Sequence, residues 1–134
     1  MAANTIQPGP DETWVDTTPE LMAADTLAGF PIRFEWVLDD LRGLVSGRPL
    51  IAEGWGLRPE LIAPVTDSPR RMLVMIATEA FRQRQLRELP RAATISDQVR
   101  DPALAQRNRL ARDRMVAQDA ANFRTPLGHP GHRG

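Results

Sequence analysis

The chain has 134 residues, and its 17 basic and 17 acidic side chains give a formal net charge of zero, which leaves no overall field to draw nucleic acid or an anionic membrane. Cysteine is absent, which excludes disulfides, thiol catalysis and cysteine-built metal sites. Every basic residue is arginine, and both histidines, His129 and His132, sit near the C-terminus, so Schiff-base chemistry and a histidine general base in the body of the chain are excluded as well.

Residues 1–17 read as a flexible arm, punctuated by Pro8-Gly9-Pro10-Asp11, with Trp14 as its apolar anchor. No basic stretch followed by an apolar one opens the chain, and no apolar run approaches the roughly 20 residues of a membrane span, so a cytoplasmic protein is expected. Thr17-Thr18-Pro19-Glu20 carries a hydroxyl cap, a first-turn proline and an early acid, the marks of a helix start. Leu21, Ala24, Leu27, Phe30, Phe34, Val37, Leu38 and Leu41 then recur at three- and four-residue steps, one apolar stripe on a long helix. Pro31 should kink or split that helix, and Gly43 with Ser46-Gly47 ends it. Phe30, Phe34, Trp36 and Val37 are expected in the core.

Two short apolar runs follow. Pro49-Leu50-Ile51-Ala52-Glu53 is too short for a helix, and Arg71-Met72-Leu73-Val74-Met75-Ile76-Ala77 is apolar on both faces; both read as strands of a parallel sheet. Between them Pro59-Glu60-Leu61-Ile62-Ala63 forms a helical turn. Thr78-Glu79 caps a helix that continues to about Leu89, and Asp101-Pro102 starts another that reaches about Asn122. Residues 124–134, rich in glycine, proline and histidine, read as a disordered tail, leaving 18–123 as the folded part. The predicted class is α/β, with about two short parallel strands and four to five helices.

In an open parallel sheet, ligands bind beyond the carboxyl ends of the strands, which points to Glu53-Gly54-Trp55-Gly56. Glu53 has two readings: a carboxylate near metal and phosphate, or one that bonds the amides of its own turn. Trp55 reads as a ligand-site wall or a packing residue. Glu79 reads as a helix-cap acid favoured by the dipole. Helical rotation sets Arg107 and Arg114 on one side of the last helix, with Arg109 and Arg112 across from them. Two guanidiniums so placed form a phosphate clamp, or else a solvated face paired with Asp113 and Asp119. Nucleic-acid binding fits poorly, since Phe81 is the aromatic residue near the arginines.

The order Leu50-Ile51-Ala52-Glu53-Gly54-Trp55-Gly56-Leu57-Arg58-Pro59-Glu60-Leu61-Ile62, Arg70-Arg71, then Ala77-Thr78-Glu79-Ala80-Phe81-Arg82, resembles the middle of actinobacterial P-loop kinase-like proteins, similar in outline to adenylate, shikimate and chloramphenicol kinases. Arg33-Phe34-Glu35-Trp36-Val37-Leu38-Asp39-Asp40-Leu41 matches the helix upstream, and Asn108-Arg109-Leu110-Ala111-Arg112-Asp113 the arginine-bearing lid. The resemblance, over residues 18–122, implies a three-layer fold, with Glu53 near magnesium and ATP, Gly54 beside the phosphates, and Arg109 and Arg112 as lid clamps. The family's glycine-rich loop with its lysine has no counterpart here, so a remnant or part of an ATP-dependent phosphotransferase is expected, inactive alone, with no nucleotide held tightly. A nucleotide or phosphorylated small molecule would bind only once missing segments completed it. A truncated reading frame would account for this, and exposed strand edges would favour self-association. The competing expectation is a small non-catalytic interaction protein that uses its arginine-rich helix.

Overall fold

The computed structural model describes residues 6–44, 46–89 and 98–124. In chain order these form α1 (Pro10–Trp14), α2 (Pro19–Gly43), α3 (Pro59–Ile62), a 3-10 turn (Pro69–Arg71), α4 (Glu79–Glu88) and α5 (Pro102–Ala121). No strand occurs among the described residues. The α/β class and the three-layer kinase-like architecture are thereby overturned. Neither run read as a strand forms one: residues 49–53 and 72–77 lack regular structure and Arg71 ends the 3-10 turn, although Met72, at φ −123° and ψ 134°, and Thr78, at φ −66° and ψ 158°, have torsions that a strand could use. Apolar character and extended torsions favour a strand, but only a neighbouring strand supplies the hydrogen-bond ladder.

The helix starts follow local chemistry. Thr18 Oγ1 accepts from the Leu21 amide at 3.2 Å, and Thr78 Oγ1 accepts from the Phe81 amide at 3.2 Å, each ahead of the helix it caps. Asp101 Oδ1 accepts from the Leu104 amide at 3.0 Å, with Pro102 in the first turn of α5. Pro31 lies inside α2, which continues unbroken from residue 19 to 43. The segment read as an arm carries α1, and Val15 beyond it is buried. The tail beyond residue 124 lies outside the described residues.

The chain divides into two compact units. The first comprises Met1–Gly29 and Ile76–Gln118. Its core gathers Val15, Val99 and Ala105, with Trp14 and Leu104 packed against them. Asn108, buried on α5, donates from Nδ2 to the Trp14 carbonyl at 3.0 Å, so a buried amide finds a backbone acceptor. Arg100 donates to both carboxylate oxygens of Asp16, and its amide donates to Asp11 Oδ1 at 2.8 Å. On the N-terminal part of α2, Met22 and Ala23 are buried while Leu21 and Ala24 are exposed, so the apolar stripe read from spacing is out of register there.

The second unit comprises Phe30–Met75 and Asp119–Gly134. Phe30 and Phe34 are buried, as expected, but Trp36 is 68% exposed and Val37 faces solvent too. Trp55 meets Phe30 edge to face, ring centroids 5.1 Å apart, so it packs on the core while staying half-exposed. The Arg58 guanidinium lies 5.2 Å from the centre of the same Phe30 ring and donates to Glu60 at 3.1 Å and Asp119 at 2.6 Å. Arg58 is 3% exposed, so this cation is held by two acids and an aromatic face in place of water.

Candidate interaction surface

The residues expected to form a phosphate site fall in different settings. Glu53 and Gly54 lie in an exposed irregular stretch of the second unit, and no strand end presents them. Gly54 accepts from the Leu57 amide at 3.1 Å, and a Cβ placed on it would meet nothing within 4 Å, so no close backbone cradle requires glycine here. Arg109 and Arg112 stand half-buried on α5 in the first unit. Arg112 donates to the adjacent Asp113 at 2.8 Å and lies over the Trp14 ring at 5.4 Å. Among the described residues no group of three or more histidine, cysteine, aspartate or glutamate side chains is arranged to hold a metal ion. No helix among them is long and apolar enough to cross a membrane.

The acid at the start of α4 is held firmly. Glu79 accepts from Arg114 Nη2 at 2.6 Å and from Gln83 at 3.0 Å, with Arg82 a further 3.8 Å contact. The Arg114 hydrogen bond, followed by that from Gln83, lowers the Glu79 carboxyl from 4.5 to about 2. The same bond raises the Arg114 guanidinium. Spacing reads Glu79 only as a cap acid; its tie to α5, 35 positions away, carries no signal in local sequence.

A cavity of about 390 Å³ in the second unit is lined by Ala63, Pro64, Pro69 and Phe123, with Glu60 and Arg124 as its charged members. None of the predicted site residues lines it.

The feature that stands out is apolar and exposed. Ser68 Oγ accepts from the Arg70 amide at 3.2 Å and so caps the 3-10 turn, whose last bond runs from the Met72 amide to the Pro69 carbonyl at 3.2 Å. From there the chain has no regular structure until Thr78, the cap of α4, and both ends of this stretch, Met72 and Thr78, have extended torsions. Leu73 is 83% exposed and Met75 80%, while Val74 and Ile76 are about half as exposed, at 40% and 42%. Alternation with period two is the signature of an extended strand with two unequal faces. Among the described residues no chain pairs with the backbone of residues 73–76. In the second unit Leu50 and Ile51, and Ile32 and Trp36 one helical turn apart on α2, are exposed apolar side chains as well.

Compared with known protein families, characterised proteins and solved structures, the chain matches none. The absence of a sheet among the described residues is at odds with the kinase-like fold.

Proposed function

We propose that this chain is a small, non-catalytic helical interaction protein that docks on another polypeptide through the extended apolar run at residues 72–76. The observation that carries the reading is the alternating exposure of Leu73 and Met75 in an unpaired stretch that is extended at both ends and bounded by the Ser68-capped turn and the Thr78 cap. An unpaired extended segment offers a row of amides and carbonyls to an incoming chain, and its alternate side chains offer selectivity. Burying four large apolar side chains supplies a driving force of roughly 25 cal/mol per Å² of apolar surface. The arginines of α5 support this frame more than they advertise it. Arg112 and Arg114 already hold acids of their own unit, so an acidic partner is not needed to explain them.

The test is a photo-reactive residue at position 73, compared with one at the exposed Arg87 of α4, in the native host. A discrete polypeptide adduct from position 73 and not 87, lost on Met75→Asp, is the expected result. Equal labelling from both positions, or no adduct from 73, would end the reading.

A further inference from the structure

We infer that the occupant of this run is a second copy of the same run, paired with it antiparallel about a two-fold axis at Met75. The inference rests on the interaction reading above and names its partner. The stretch without regular structure, extended at both its ends, covers residues 72–78, and its midpoint is Met75. Full overlap with a copy in antiparallel sense therefore sets Met75 against Met75, Val74 against Ile76 and Leu73 against Ala77. This is an isologous contact, in which one patch serves both subunits.

Two features select this arrangement. The alternation of exposure along residues 73–76 means that like faces meet like faces when opposite residues share parity, as they do in this register. The ends of the run also carry opposite charge: Arg70 and Arg71 precede it and Glu79 follows it. In the antiparallel sense the end of each copy that carries Arg71 meets the end of the other that carries Glu79, whereas a parallel sense would bring the two Arg71 ends together. Both side chains are exposed, at 73% and 53%, and both keep their internal ion pairs, Arg71 with Asp67 and Glu79 with Arg114. Exposed charges of this kind orient a pairing more than they strengthen it. The association is weak, since an isolated two-stranded ribbon is marginal in water.

Sedimentation of the purified chain across a concentration series reads the outcome. The mass rises from one chain to two and stops there. Met75→Arg and Met75→Glu each place like charges on the axis, and each alone stays at one chain. An equimolar mixture of the two restores the mass of two, because opposite charges then face each other. Helix content by circular dichroism stays unchanged in both variants, because Met75 is exposed. A single-chain mass for the unaltered protein at every concentration overturns self-pairing, as does growth without limit or a mixture that fails to restore the pair. A hetero-polypeptide adduct at position 73 together with a single-chain mass leaves the interaction reading standing and removes only this partner.

Discussion

Arg58 donates from Nη2 to Asp119 Oδ2 at 2.6 Å, a bond that joins residues 61 positions apart in the chain. The guanidinium is 3% exposed and lies against the Phe30 ring, whereas Asp119 keeps 48% of its side chain in water. The two partners therefore differ in what their loss leaves behind. Asp119→Ala strips a charged acceptor from a buried cation that still holds Glu60, and should cost about 1–3 kcal/mol. Arg58→Lys should cost about 2 kcal/mol, since an ammonium cannot reproduce the fork that reaches both acids while its carbon stays over the Phe30 ring. Urea unfolding followed by helix content checks both, and a loss under 0.5 kcal/mol for either would show that water already shares the site, given what surface pairs contribute.

Glu79 gives the molecule a pH response. Its folded carboxyl lies near 2, below the ordinary 4.5, because Arg114 and Gln83 donate to the charged form. A lowered folded value means that the contribution to stability is fully present above pH 4.5 and is lost as pH falls through about 2. A carbon-13 titration of the Glu79 carboxyl should have its midpoint near 2, and Arg114→Gln should move it up toward the ordinary value. A midpoint that does not move would assign the shift to Gln83 and the start of α4. Asp16, lowered by the Arg100 hydrogen bond, adds to stability in the same direction.

Asn108 is a buried amide with a single structural task. Its Nδ2 reaches the Trp14 carbonyl at 3.0 Å, and the chain between them is 94 residues long. Asn108→Asp replaces the donor by an acceptor aimed at a carbonyl, and should destabilise by more than Asn108→Ala, itself about 1–2 kcal/mol. The order of the two midpoints in thermal unfolding is the readout. If the aspartate variant is the more stable of the two, a donor at position 108 is not what that carbonyl requires.

How much of this was legible depends on the range over which each interaction acts. Thr18, Thr78 and Asp101-Pro102 announce helix starts because a cap is satisfied within three residues. The two apolar runs mislead for the opposite reason. Nothing in Leu50-Ile51 or in residues 72–76 says whether a neighbouring strand exists, and a strand is a property of a pair. The arginines show the same limit. Spacing separates the Arg107 and Arg114 side of α5 from Arg109 and Arg112, and the former pair is indeed the more exposed. It cannot reveal that Arg114 grips Glu79 or that Arg58 grips Asp119. Trp36 illustrates a further gap: an aromatic residue beside a buried stripe reads as core, yet its side chain stays mostly exposed on α2.

The Arg71–Met72 peptide bond gains a particular meaning from its surroundings. A trypsin-like protease cuts after arginine and grips its substrate as an extended strand, whereas Arg71 ends a 3-10 turn whose last bond, from the Met72 amide to the Pro69 carbonyl, must open before the bond can be cut. Opening that turn is therefore what exposes the chain to cutting, and a partner paired with the run beside it shields that bond. Lifetime and occupancy are thereby tied together, and copies left alone are the first to be removed.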